Sequence, residues 1–368
     1  MEYIVEIVEE ENTMYNVVDL FAGVGGLSYG FSQLVDFNIV MANEIEPDIA
    51  RAYSLNHPEV NMINSDINDL TEEVIRNAIG NTSIDVVVGG PPCQSYSTLG
   101  KRQMDERANL FMQYKRVLEI IRPRAFVFEN VTGILSMDKG RLFESVQREF
   151  AELGYQLRFR VLNALDYGVP QIRERVILVG FQGENRYNFP EPTHGEGRLP
   201  YVTLREAIGD LPVLNSGETN NSYATDANNE FLRFVRKDGA TIASEHSAPR
   251  NGDHLIRIMQ ALGDGQSKDD LPADIRPRSG YGNTYAKLWW DRPSTTITRN
   301  FACPSSSRCI HPRDSRAMSI REGARLQSFP DDYQFYGSDG IKRLEIGNAV
   351  PPLLSTAIAR QMLIALEE

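Results

Sequence analysis

Apolar residues follow two rhythms along the first half of the chain. Short, nearly continuous apolar runs occur at residues 16–21 (NVVDLF), 38–42 (NIVMA), 84–88 (IDVVV), 125–130 (AFVFEN) and 175–181 (RVILVGF). Such runs predict strands covered on both faces. Between them lie segments with helical character. GGLSYGFSQL opens as a helix, EPDIARAYSLN carries Pro47 where a first helical turn accepts it, and residues 109–121 (NLFMQYKRVLEII) stop before Pro123. Buried strands alternating with helices predict an α/β fold, a mainly parallel sheet flanked by helices.

After Phe181 the rhythm breaks. From about residue 182 to 318 the chain is rich in Pro, Gly, Asn and Ser, with short apolar runs and few long helical patterns. This reads as a second, smaller, less regular domain. Regular patterning returns at SIREGARLQSF and closes with PPLLSTAIARQMLIALEE, an amphipathic helix opened by prolines. The expected organisation is a first part of the main domain over 1–184, a second domain over 185–318, and a return to the main domain over 319–368. There is no internal repeat and no low-complexity tract.

A chain of 368 residues with 41% hydrophobic content can bury a sizeable core. The N-terminal MEYIVEIVEEENTMY is acidic and lacks the basic start and small-residue cleavage site of a signal peptide. No apolar run approaches the roughly 20 residues that span a bilayer, so the expected location is cytoplasmic. The net charge of −12 argues mildly against a nucleic-acid partner. Its distribution changes the picture. Lys287, Arg292, Arg299, Arg308, Arg313, Arg316, Arg321 and Arg325 fall in one stretch with few acids, so a basic face on an acidic protein is compatible with the sequence. Cys93, Cys303 and Cys309 contain no CxxC pair, which argues against a zinc site or a disulfide framework. No metal is expected.

In VVDLFAGVGGLS, Gly23, Gly25 and Gly26 stand where a strand meets a helix, and Glu44 follows the next strand, 19 residues past Gly25. Glycine allows tight turning and close approach of backbone to ligand, and an acidic side chain at that spacing suits ribose hydroxyls. The pattern indicates a nucleoside-containing cofactor, with NAD and S-adenosylmethionine both open. Asp66, after the third strand, suits an adenine amino group or, equally, a helix cap.

Cys93 lies in GGPPCQSYS, in a loop at the C-terminal end of a strand, where open α/β sheets build their sites. It is a candidate nucleophile, or else a small buried residue. Glu129 ends the strand in FVFENV, so burial would raise its pKa and suit it to proton donation; the alternative is a paired structural carboxylate. In QIRERVILVG, alternation puts Arg173 and Arg175 on one face, suited to an anion or a polar ring edge, or to salt bridges.

Seven pieces occur in one order: DLFAGVGGLS, NEIEP, GGPPCQSYS, FVFENV, QIRERVILVGF, REGARLQSFPDDY and IGNAVPP. Together they resemble the DNA (cytosine-5)-methyltransferases over about residues 16–363, essentially the whole chain. The resemblance implies a Rossmann-like, S-adenosylmethionine-dependent methyltransferase fold with an irregular target-recognition domain. It implies S-adenosyl-L-methionine as cofactor, S-adenosyl-L-homocysteine as product, and duplex DNA as partner. Cys93 would add to C6 of cytosine, breaking aromaticity and placing electron density on C5. Glu129 matches the glutamate that contacts N3 and the exocyclic amino group. Arg175 matches the arginine near the base, and Arg173 is counted with it among the catalytic residues, as a weaker match that orients its neighbours. Phe21, Gly23, Gly25, Glu44, Asp66, Ile67, Pro92, Leu110, Asn348 and Val350 match cofactor contacts. Ile45 stands where some members have a tryptophan against the adenine, a departure that weakens stacking.

The target cytosine must be flipped out of the duplex. The polar segment 96–107 (YSTLGKRQMDER) is expected to close over it, with Ser97, Lys101 and Arg102 near phosphates. YAKLWWDRPSTTITRNF resembles the better-conserved part of the recognition region, with a Thr-rich strand carrying Thr296, Thr298 and Arg299 toward DNA. Trp289 and Trp290 read as core or as base contacts. The resemblance points to a monomeric modification enzyme of the prokaryotic or viral type, possible partner of a cognate restriction endonuclease. A nicotinamide oxidoreductase would explain the glycine turn but not Cys93, Glu129 and the arginines in register. A tRNA cytosine-5 methyltransferase on the same scaffold is the main alternative; its Cys-Phe-Thr signature is absent from the sequence.

Overall fold

The valines of β4 (Val86–Gly89) show how the sheet is built. Val86 and Val88 face one apolar cluster, and Val87 between them faces another. This is the alternation of a strand covered on both sides. The computed structural model describes residues 14–92, 109–237, 240–278 and 282–368. Its seven-stranded sheet comprises β1 (Tyr15–Leu20), β2 (Phe37–Glu44), β3 (Asn61–Asn64), β4, β5 (Ala125–Val131), β6 (Tyr155–Asn163) and β7 (Glu174–Gln182), in the order β3-β2-β1-β4-β5-β7-β6. The pairings among β3, β2, β1, β4 and β5 are parallel, and β7 runs antiparallel to both its neighbours. The expected α/β architecture with a mainly parallel sheet is what forms.

Helices cover both faces. On one, α1 (Gly26–Ser32) packs Leu27 and Phe31 with Leu354, Ile358 and Met362 of the C-terminal helix Pro352–Glu367. On the other, Tyr114 and Val117 of the helix Asn109–Ile121 meet Val146 and Phe150 of the helix Arg141–Glu152. The Tyr114 hydroxyl donates to the carbonyls of Val87 and Val127, so a buried polar group is satisfied within the sheet. Among the described residues, the apolar stretch Asp339–Glu367 has the length and composition of a membrane span. It is two successive helices, Asp339–Asn348 and Pro352–Glu367, and the second is a core helix.

A further core joins Leu204, Phe231, Trp290, Ile297 and Phe301 to Met318, Ala324, Phe329 and Ile346, and also to Val24, Tyr29 and Ile49 beside the sheet. Its polar interior corrects one expectation. Arg316, Arg321 and Arg325 are fully buried and cannot belong to a basic face. Arg316 pairs with Asp314 at 2.8 Å and Glu322 at 2.7 Å, and Arg325 pairs with Asp331 at 2.6 Å and with Asp210. Lys287 is also buried. Such arginines are retained inside only because each is paired. The exposed basic residues of that stretch are Arg292, Arg299 and Arg313, with Arg308 half-buried. Trp290 lies in the core, while Trp289 is half-buried under Arg308, whose guanidinium carbon lies 4.1 Å from its ring centre. The Thr-rich stretch forms no strand; it is tied to the sheet domain by an isolated bridge between Gln171 and Ser294 and by side-chain hydrogen bonds at Thr296 and Ile297. Cys303 and Cys309 are free thiols.

Candidate active site

The C-terminal ends of β1, β2, β4 and β5 open onto a cleft of about 840 Å³. Phe21 follows β1 with φ of 54°, a left-handed conformation that a bulky residue adopts only under constraint. Its ring lines the cleft. The Gly23 amide donates to Glu44 Oε2 at 2.9 Å, and the Glu46 amide donates to Oε1 at 3.0 Å. Glu44 is thereby fixed at the cleft wall, although burial raises its pKa. Gly25 stands at the turn into α1. It caps α1 with φ of 92°, and a Cβ there would lie 2.9 Å from both His57 Nε2 and the Tyr333 hydroxyl. Gly23 and Gly26, on either side of it, line the cleft.

Asp66, Ile67 and Leu110 contribute a second wall. Asp66 also caps a short 3₁₀ turn, accepting from the Asn68 amide at 2.8 Å, so both readings of this residue hold together. Asn43 secures the β2–β3 end by donating to the carbonyls of Ile63 and Ser65. Ile45 lines the rim and is 54% exposed. Asn348 and Val350 line the opposite side.

Pro91 and Pro92 border the same cleft with Glu129 and Arg175. Glu129 is 8% exposed, and its Oε1 meets Arg175 Nε at 2.8 Å. Burial raises its pKa, with Arg175 and Arg173 opposing. A Cβ on Gly90 would lie 2.7 Å from Glu129 Oε2, so a side chain there would displace this carboxylate. The Asn130 side chain donates to the Pro91 carbonyl at 2.9 Å. Cys93, the next residue after Pro92, lies outside the described residues, as do Ser97, Lys101 and Arg102.

Arg173 does not reach the cleft. Fully buried, it donates to the carbonyls of Ile297 and Gly347 at 2.8 Å and of Ala349 at 2.9 Å. It orients the segments around the site. Thr296, Thr298 and Arg299 are exposed, and Thr296 Oγ1 donates to the Ile172 carbonyl at 2.8 Å.

Three cleft or loop residues were missed from sequence. Asn130 stands in the quoted FVFENV but has no signal of its own. Asp19 lies in DLFAG; it is buried, accepts from Ser28 at 2.6 Å on one oxygen and has no partner on the other. Burial pushes it up to about 7. Glu345, in the helix Asp339–Asn348, reads from sequence as an ordinary helix carboxylate, yet it lines the cleft. Among the described residues no group of three or more His, Cys, Asp or Glu is arranged to hold a metal. The cleft's lining, acidic side chains with unsatisfied oxygens on the buried Asp19 and Glu345, suits a cationic nucleoside.

Comparison with known proteins accords with this geometry. Residues 15–363 match the C-5 cytosine-specific DNA methylase family. The chain is 34% identical to Type II methyltransferase M1.HphI of Haemophilus parahaemolyticus, covering 94% of this chain and 86% of that protein. It is 35% identical to Type II methyltransferase M.DdeI of Desulfomicrobium norvegicum, covering 94% and 88%. Among solved structures, a prophage-encoded protein of Escherichia coli, described as a candidate DNA modification methyltransferase, superposes with a TM-score of 0.79 at 25% identity, covering 96% of this chain and all of that one. The Dnmt2 proteins of Spodoptera frugiperda and S. pombe share the fold, at TM-scores of 0.63 and 0.59. With the family match spanning nearly the whole chain and the Glu129–Arg175 pair set beside the Pro-Pro loop, the chain belongs to the C-5 cytosine-specific DNA methylases and is a DNA cytosine-5 methyltransferase.

Proposed function

We propose that the protein methylates C5 of a cytosine within a short DNA sequence, after flipping the base out of the duplex, through a covalent bond between Cys93 and C6. The observation that carries this reading is the meeting of Glu129, Arg175 and the Pro91–Pro92 loop in one cleft with Glu44 and Asp66. S-adenosylmethionine, when bound, supplies an electrophilic methyl group on a sulfonium. Glu44 accepts from its ribose hydroxyls, Asp66 from its adenine amino group, and Phe21, Ile67 and Leu110 cover the ring. Gly23, Pro92, Asn348 and Val350 border the amino-acid portion, and Ile45 covers the adenine less fully than an aromatic would.

Cys93 attacks C6 of the flipped base as thiolate. Glu129 holds N3 and the exocyclic amino group, and its raised pKa suits it to share a proton with N3 as charge develops in the ring. Arg175 fixes Glu129 and presents a cation beside the base. Arg173 is a positioning residue rather than a catalytic one. Residues 185–318 read the DNA, with Thr296, Thr298 and Arg299 exposed toward it, while Ser97, Lys101 and Arg102 contact phosphates. The enzyme acts as a monomer in the cytoplasm, with a cognate restriction endonuclease as its counterpart. A tRNA substrate has less support, because the curated relatives are named Type II methyltransferases and the Dnmt2 likeness, at 16% and 18% identity, concerns the fold alone.

The test is base-resolution mapping. Unmethylated plasmid is incubated with protein and S-adenosylmethionine, then converted with bisulfite and sequenced, with Cys93→Ala as control. Protected cytosines in one recurring context, absent with the variant, are expected. Full protection with the variant would overturn the covalent route, and no protection with the native enzyme would overturn the DNA reading.

A further inference from the structure

Glu345 is the one buried cleft carboxylate, among the described residues, with no hydrogen-bond partner at either oxygen. It is 2% exposed. The others are held: Glu44 by the Gly23 and Glu46 amides, Asp66 by Asn68, Glu129 by Arg175, and Asp19 by Ser28 on one side. Removing a carboxyl from water without pairing it is costly, and proteins meet that cost by keeping the group neutral or by giving it a ligand. Burial pushes Glu345 up to about 8. Asp48 and Glu245 push the same way, whereas Lys342 and the Tyr336 amide pull down. Lys342 is already committed to Glu245, at 2.7 Å. Tyr333 is the remaining titratable neighbour, and burial holds its hydroxyl protonated.

The cleft therefore presents a buried, unsatisfied acceptor to whatever fills it. Resting on the proposed function, that occupant carries two positive centres, an α-ammonium and a sulfonium. We propose that Glu345 is the cleft's receptor for one of these centres and that the cofactor enters with release of the Glu345 proton to solvent. A carboxylate facing a cation in a water-poor site is stabilised far more than the same carboxylate alone. Binding and deprotonation are thus coupled, and cofactor affinity rises with pH until the free enzyme is itself ionised.

Calorimetric titration with S-adenosylmethionine at pH 7, in buffers of differing ionisation enthalpy, measures the protons released. The native enzyme should release a substantial fraction of one proton, and the release should fade toward pH 9. Glu345→Gln keeps the shape without the charge. It should lower the release and weaken S-adenosylmethionine about 10-fold. Asp19, which also titrates near neutrality in this cleft, accounts for any remainder. S-adenosylhomocysteine keeps the ammonium and lacks the sulfonium, so equal weakening of both ligands assigns the ammonium, and weakening of S-adenosylmethionine alone assigns the sulfonium. 5′-Methylthioadenosine lacks both and should bind the variant as it binds the native enzyme, which also reports an intact cleft. Native affinity and native proton release in Glu345→Gln would overturn the proposal. Failure of the native enzyme to bind S-adenosylmethionine would instead overturn the functional reading beneath it.

Discussion

Arg173 donates from Nη2 to the Gly347 carbonyl at 2.8 Å, and its other terminal nitrogen reaches the Ile297 carbonyl at the same distance. One guanidinium thereby ties the cleft wall at Gly347–Ala349 to the segment that carries Thr296 and Thr298. The same strand end carries Arg175, two residues on, against Glu129. The proposed cofactor wall, base-binding pair and recognition segment therefore share one joint.

Lysine has one charged centre and cannot bridge three carbonyls as the planar guanidinium does. Arg173→Lys should raise both the cofactor Kd and the KM for DNA, by roughly 10-fold each. Arg175→Lys should act mainly on kcat. Steady-state kinetics beside cofactor titration separates the two patterns.

Glu129→Gln removes the group proposed to meet N3 and leaves Arg175 without its ion-pair partner. A fall in kcat of about 10²–10⁴ is expected, with cofactor affinity little changed. Single-turnover methylation of an unmethylated duplex measures it.

Asn130 acts through the backbone it holds. Asn130→Ala deletes the donor to the Pro91 carbonyl and frees the approach to Cys93. Small misplacement of a nucleophile is expensive in rate, so kcat should fall about 10–100-fold while cofactor binding stays within about threefold of native. An Asn130→Asp variant, which keeps size but replaces the donor with a charge, should not rescue the rate.

The pH dependence of stability follows from Glu345. Its ordinary value of 4.5 is raised to about 8 in the folded protein. Between those values the folded state holds a proton that the unfolded chain has released, so stability falls as pH rises through this window and then levels off. Glu345→Gln removes that loss. The cofactor-free variant should match the native enzyme below about pH 4.5 and exceed it above pH 8 by roughly 2 kcal/mol, or about 2–3 °C in Tm. Thermal melts across that range check both sign and window.

The buried arginines of the second core answer to a different rule. Arg325→Met leaves the buried Asp210 and Asp331 without their closest cation, with Arg236 at 3.4 Å and Arg321 at 3.7 Å remaining. A loss of about 3–5 kcal/mol is expected, seen as a lower denaturant midpoint. The pair Arg292→Ala and Arg313→Ala, both exposed, should leave stability nearly unchanged.

The basic stretch shows where reading the sequence alone falls short. Eight cations in 39 residues look like one face, but burial depends on what packs over each side chain. Arg316, Arg321 and Arg325 find acids at residues 210, 314, 322 and 331, one of them, Asp210, more than a hundred positions from its partner. The surroundings of Gly25 are set in a related way. Its positive φ was legible as a turn, yet its neighbours His57 and Tyr333 come from other parts of the chain.

The sequence by itself determined the sheet, the helices over it and the family, because these rest on local periodicity and on short motifs whose order survives in one dimension. Glu44, Asp66, Glu129 and Arg175 were legible for the same reason: each sits at a strand end, where topology alone sends it toward the cleft. Only the tertiary structure decided that Arg173 is a joint, that Asn130 holds Pro91, and that Glu345 and Asp19 face the cleft with unsatisfied oxygens. Those roles depend on the distance and desolvation of groups far apart in the chain, and no local pattern encodes either.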